Sequence, residues 1–115
     1  SHLNVNPLDY IRASRIGSFI FFTAREDQKI IGYSGYQISN HSQDGVKTAS
    51  QHLLYILPER RKGTIGIKLI KFCEDQLKLK GIKRIFQHTS KFRDLSKLFQ
   101  RLGYTECEIT YSKEL

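Results

Sequence analysis

The residues that invite chemistry lie in one turn. In "YILPERRKGTIGIKLIKF" (55–72), an apolar run reaches Pro58. It is followed by Arg60, Arg61 and Lys62, then by Gly63 and Gly66, and an amphipathic pattern begins at Ile65. A helix N-terminus leaves N–H groups without partners and carries a partial positive potential. Small residues let a ligand approach that backbone, and Arg and Lys add charge-assisted bonds to phosphate oxygens. The turn therefore suits a phosphate or pyrophosphate, or else it is a glycine-bearing turn with solvated charges. It contains no G-x-x-x-x-G-K-[ST], which argues against a P-loop triphosphatase. It contains no G-x-G-x-x-G, which argues against a dinucleotide fold.

Charge follows the same division. The 115-residue chain carries a net +8, and between Arg60 and Arg101 thirteen Lys or Arg face three Asp or Glu, a local +10. The remainder is therefore near −2. Charge alone is equally compatible with nucleic acid, an anionic cofactor or simple solubility. The hydrophobic fraction of 39% supports a folded core. No apolar run is long enough for a membrane helix, and no basic-then-apolar leader opens the chain. The two cysteines, Cys73 and Cys107, fit a reducing compartment, and a cytoplasmic location is expected. The four histidines show no metal-ligand spacing, and no metal is expected.

The elements that must position this turn are legible from periodicity. "SFIFFT" (18–23) and "IIGYSGYQI" (30–38) read as a hairpin around the polar "AREDQK". The glycines of the second strand mark a bulge or a close backbone approach. "KTASQHLLYIL" (47–57) is a third strand, ended by Pro58. Ile65, Leu69, Phe72, Cys73, Gln76 and Leu77 recur at helical spacing, and Gly81 stops that helix. "IKRIFQH" (82–88) is a strand, "SKFRDLSKLFQRLG" (90–103) a second helix starting near Ser90 or Asp94, and "YTECEITYS" (104–112) a last strand. Ahead of these, 1–15 is ambiguous, with a short helix after Pro7 capped by Asn6 as one reading. The expected fold is α/β, a mixed and mostly antiparallel sheet with two main helices in the order β-β-β-α-β-α-β, in one domain over 1–115.

In this context the segment from Tyr55 to Gly81 resembles the cofactor-binding segment of the GNAT N-acetyltransferase superfamily. Ile56 and Pro58 hold its V-x-P positions. Arg61 and Gly66 hold the ends of its Arg/Gln-x-x-Gly-x-Gly/Ala signature, while Thr64 stands where the middle glycine usually is and Gly63 lies one residue earlier. "DLSKLFQRLGYTECE" is similar to the family's later helix and L-G-[FY] turn, so the resemblance spans about 17–115. Two features depart from the pattern. Only about fifteen residues precede the first strand, where the family usually has a strand and two helices, so a compact or shortened member is expected. Phe99 stands where many members place a Tyr that protonates the departing thiolate; Tyr104 and Tyr111 are the substitutes to consider.

The resemblance implies acetyl transfer from acetyl-coenzyme A to a primary amine on a small molecule, peptide or protein. It implies a cofactor site at Leu54, Ile56, Arg61, Lys62, Gly63, Thr64, Ile65, Gly66 and His88. A backbone N–H around 54–57 would hold the acetyl carbonyl. His52, on the strand face of Ser50 and just upstream of Leu54, is the favoured proton acceptor, since imidazole titrates near neutrality. No Asp or Glu lies on 48–57 to compete. The alternative is a GNAT-like fold without activity that binds nucleic acid or protein. Weak nucleic-acid binding at low salt and a homodimer are further expectations.

Overall fold

The computed structural model describes residues 3–7, 11–14, 17–40 and 44–115. The first expected hairpin forms and is longer than its apolar runs. β3 (Gly17–Glu26) and β4 (Lys29–Ser39) pair antiparallel with Glu26 opposite Lys29. Asp27 and Gln28 both take positive φ, the conformation that lets a two-residue turn follow the twist of its strands. β5 (Thr48–Ile56) returns antiparallel to β4, and β6 (Arg84–Phe86) joins β5 in parallel. Two strands precede them. β1 (Leu3–Pro7) and β2 (Ile11–Ser14) share the outer edge of β3, at Phe22–Glu26 and near Phe19 respectively. The sheet order is β1-β3-β4-β5-β6.

The helix after the charged turn, α1 (Ile65–Leu79), lies across β3, β4 and β5. Its inner face is Ile65, Leu69, Ile70, Cys73 and Leu77. The sheet meets it with Ile20, Phe22, Tyr36, Ile38, Ala49 and Ile56. Each such side chain contributes about 1.5–3 kcal/mol by leaving water. Phe72 adds an edge-to-face contact with Phe22 at 6.1 Å. Gly81 ends the helix at φ +86°, the left-handed position that glycine occupies without steric cost.

The β-β-β-α-β-α order of 17–101 stands, and three sequence expectations are corrected. The helical reading after Pro7 gives way at 11–14 to a strand, its residues 8–10 and 15 lying outside the described ones, because the free edge of β3 offers the ladder that a short isolated helix lacks. The second helix, α2 (Ser96–Arg101), is shorter than 90–103. Its expected first turn is an irregular loop in which Thr89 and Ser90 hydroxyls bond the backbone of 93–95. The last strand over 104–112 does not form: no ladder is assigned there, and Ile109 and Tyr111 are exposed. Alternation alone does not make a strand: β6 ends the described sheet, and these residues form no ladder with it. Among the described residues, no helix is long and apolar enough to cross a membrane.

Two predictions follow from this packing. A Cβ at Gly32 would sit 2.9 Å from the Tyr55 carbonyl oxygen, so the close approach is to backbone. Gly32→Ala should cost about 1–3 kcal/mol in urea unfolding. The second concerns pH. Burial pushes the Cys73 thiol from 9.0 up to about 12, and burial also raises the Tyr36 hydroxyl. Above pH 9 the unfolded thiol sheds its proton while the folded one keeps it. Stability is therefore fully present below about pH 9 and falls toward pH 12, which urea midpoints across the alkaline range will register.

Candidate active site

The site begins with a mismatch in the sheet. β5 pairs with β6 only at Thr48–Arg84, Ala49–Ile85 and Ser50–Phe86. On its other side, the register against β4 shifts: Tyr36 faces Gln51, yet Gly35 faces Leu53. His52 is the extra residue of a β-bulge. A bulge bends its strand and increases its twist, and β5 parts from β6 immediately beyond Ser50. Gly35 lies opposite the bulge; a Cβ there would come within 2.7 Å of the Phe21 ring. Both β4 glycines thus serve the expected purposes, one at the bulge and one at a close approach.

The parting is held open by side chains in place of ladder bonds. The His88 N–H donates to Gln51 Oε1 at 2.9 Å, and Ser50 Oγ lies 3.1 Å from His88 Nε2. Beyond them lies a cleft of about 660 Å³, walled by Gln51–Tyr55 and Tyr33 on one side and by His88–Ser90, Arg93 and Leu95 on the other.

The backbone of β5 presents itself to this cleft. Leu57 N–H donates to Ile31 O, toward β4. In an antiparallel strand each residue's N–H and C=O share a side, and sides alternate. Leu57 and Tyr55 therefore turn their peptide groups to β4, while Ile56 and Leu54 turn theirs to the open edge. Arg61 Nε donates to Ile56 O at 2.7 Å, as this orientation requires. The N–H groups of Leu54 and Ile56 lie on this open edge, and Leu54 lines the cleft.

His52 is exposed, with its ring edge-on to Phe19 at 5.7 Å. It shares a face with Ser50, as expected, because Phe19, Gln37 and Ser50 form one row across the sheet. Simple alternation would put Leu54 on that face as well. The bulge instead returns the Leu54 side chain toward the core, where it packs half-buried.

The charged turn follows. A 3-10 turn (Pro58–Arg60) leads into 61–64, and α1 starts at Ile65 with no side-chain cap. The first bond within the helix runs from Lys68 N–H to Thr64 O, so the N–H groups ahead of it face outward. Neither Gly63 nor Gly66 has a positive φ, and a Cβ at either would meet nothing closer than 3.8 Å. No neighbour within the chain demands glycine at these positions; what their small size leaves is open space above the helix terminus. Lys62 is exposed beside them. Arg61 lies over the Tyr55 ring at 5.4 Å, and Tyr55 stacks on Tyr33 at 5.3 Å.

The groups considered as thiolate acids are elsewhere. Phe99 is buried against the Tyr104 ring at 5.7 Å. Tyr104 lines a separate depression with Glu74, Lys78 and Ile82, and Gln87 Nε2 donates to its hydroxyl and to that of Tyr36. Burial raises the Tyr104 hydroxyl, so it keeps its proton but does not face the cleft. Tyr111 is exposed. Sequence reasoning missed Gln51, Tyr33, Tyr55 and Arg93. A cross-strand register would have been needed to find them, and only the spacing of the two β4 glycines hinted at one.

Replacing Gln51 with Leu should strand the buried acceptor's partner, the His88 N–H. A loss of about 0.5–1.5 kcal/mol is expected, together with faster amide exchange at His88. Gly66→Ala, by contrast, should leave stability unchanged or raise it by up to about 1 kcal/mol.

Comparison with known proteins agrees with this geometry. A family model described as an acetyltransferase (GNAT) domain matches residues 17–106. Among solved structures, an aminoglycoside acetyltransferase from an uncultured soil metagenomic sample superposes with a TM-score of 0.78 at 16% identity, over 100% of this chain and 99% of that one. An acetyltransferase of Trypanosoma brucei gives 0.72 at 17% identity, covering 88% of this chain and 71% of its own. Glucosamine-6-phosphate N-acetyltransferase from Arabidopsis thaliana gives 0.72 at 17%, covering 84% and 66%. At such identities the superpositions speak for the fold. No curated protein matches the chain. The family match spans most of the chain and includes the bulged strand, the charged turn and α1, so this protein is a member of the GNAT acetyltransferase family.

Proposed function

We propose that this chain moves an acetyl group from acetyl-coenzyme A to a primary amine by direct transfer, with His52 as proton acceptor. The observation that carries the reading is the open edge of β5. Leu54 and Ile56 offer N–H groups along an open strand edge, and the chain runs on from that edge to the uncapped terminus of α1. An extended molecule bearing amides at one end and phosphates at the other meets complementary groups along this path. The amides pair with β5 as an added strand would, and the phosphates reach Arg61, Lys62 and the N–H groups of 63–66. Thr64 in the middle position still supplies its N–H, and His88 borders the path from the far wall.

Acetyl-coenzyme A, when bound, supplies a thioester whose carbonyl carbon is the electrophile. The amine nitrogen bonds to that carbon, the carbon–sulfur bond breaks, and sulfur leaves with the electron pair. The amine's proton passes to the His52 imidazole, directly or through one water. An N–H of the open edge polarises the carbonyl oxygen. Phe99 has no proton to give, so the thiolate takes its proton from solvent.

The acceptor is an amine on a small molecule, peptide or protein. The described neighbours named for glucosamine-6-phosphate and for aminoglycosides are both named for amine-bearing compounds. Exposed Tyr33 and Leu53 on the outer face of the sheet suit a homodimer, and the composition suits the cytoplasm. The buried Phe99 and the +10 segment favour a second reading, an inactive fold that binds nucleic acid. Such binding should weaken steeply with salt and would not saturate with one coenzyme A.

The test is calorimetric titration with acetyl-coenzyme A, followed by thiol release against an amine panel. One saturable site is expected, and a folded Gly66→Trp should lose it. His52→Ala should lower turnover by about 10²–10⁴-fold with coenzyme A affinity nearly constant. It should also remove an ionisation from the acidic arm of the rate profile, measured with amines of different basicity. Normal turnover in His52→Ala would make the site one of orientation alone.

A further inference from the structure

We propose that Arg93, on the cleft wall, joins Arg61, beside the cleft over Tyr55, in a clamp that grips a diphosphate ester. This rests on reading the cleft as the coenzyme A site. Arg61 follows β5 and lies 5.4 Å over the Tyr55 ring. Arg93 comes from the opposite wall, in the loop between β6 and α2, and lines the cleft together with Tyr55. Tyr55 thus carries Arg61 over its ring and shares the cleft with Arg93, which comes from an element that the bulge has driven apart from β5.

Neither has a counter-ion among the described residues. Among the described residues, the ion pairs are Arg60–Glu26 and Arg84–Asp44, and no Asp or Glu lines this cleft. Two like charges converge there with nothing of opposite sign between them. Desolvation, and after it the charge of Arg61, holds the Arg93 guanidinium below its ordinary value. An anion between them relieves that repulsion. A diphosphate supplies one charge for each guanidinium, and each planar fork matches phosphate oxygens in bidentate fashion.

Arg93 is also fixed in place. Its N–H donates to Ser90 Oγ at 3.2 Å, and its carbonyl accepts from Thr89 Oγ1 at 3.1 Å. Thr89 Oγ1 accepts in turn from Leu95 N–H at 2.7 Å. The loop that replaces the expected helical turn therefore fixes the backbone that carries the arginine on the cleft wall.

The experiment measures affinity for coenzyme A, 3′-dephospho-coenzyme A and pantetheine in the wild type, Arg93→Gln and Arg93→Lys, with folding checked by circular dichroism. Arg93→Gln should weaken the first two ligands equally, by about 10- to 100-fold, and leave pantetheine unchanged. Arg93→Lys, with charge but no fork, should fall between. If Arg93→Gln binds coenzyme A as the wild type does, the clamp is wrong while the cofactor reading stands. A loss confined to coenzyme A would assign Arg93 to the 3′-phosphate and overturn the diphosphate clamp. A wild type that binds none of the three would overturn the cofactor reading itself.

Discussion

His52 is one residue more than the ladder between β4 and β5 can pair, and a strand carrying an extra residue has to bend. That constraint organises everything nearby. It limits the β5–β6 pairing to three residues, and it leaves the Leu54 and Ile56 peptide groups facing the open edge of β5. It also places His52 on the outer face while Leu54 goes to the core. Gly35 permits the bend, because any larger residue would press on Phe21. The active-site reading follows from a counting mismatch of one residue.

Opening a parallel pair inside a sheet exposes polar backbone, and unpaired groups are costly when removed from water. The chain answers locally. Gln51 accepts the His88 N–H that a ladder partner would have taken, and Arg61 covers Ile56 O. The groups left over are mostly donors: two β5 N–H groups and the uncapped turn of α1, beside the Leu54 carbonyl. Around them lie Arg61, Lys62 and Arg93 with no carboxylate among the cleft walls. A site built from donors and cations selects a ligand rich in acceptors and negative charge.

Most of the scaffold was legible in the sequence, because period-2 and period-3.6 patterns report burial on one face. The hairpin, β5, α1 and the glycine stop at Gly81 follow from such patterns, and the charged turn is local in sequence. What escaped is what depends on pairing. The segments 3–7 and 11–14 became strands because β3 had a free edge, and 104–112 alternates yet finds no partner. Likewise, no local pattern marks His52 as a bulge or brings Arg93 to Tyr55, since both depend on register between distant strands. The shortening of α2 has a local cause that was readable: Thr89, Ser90 and Asp94 carry oxygens that compete for backbone N–H groups.

The central claim is that the open edge of β5 is a binding edge, and amide hydrogen exchange resolved by residue tests it most directly. In the free protein, the N–H groups of Tyr55 and Leu57 should be protected by β4, while those of Leu54 and Ile56 exchange quickly. Saturating acetyl-coenzyme A should slow Leu54 and Ile56 and leave the already protected pair nearly unchanged. If acetyl-coenzyme A binds and Leu54 and Ile56 exchange as fast as before, the cofactor does not pair with this strand and the account is contradicted.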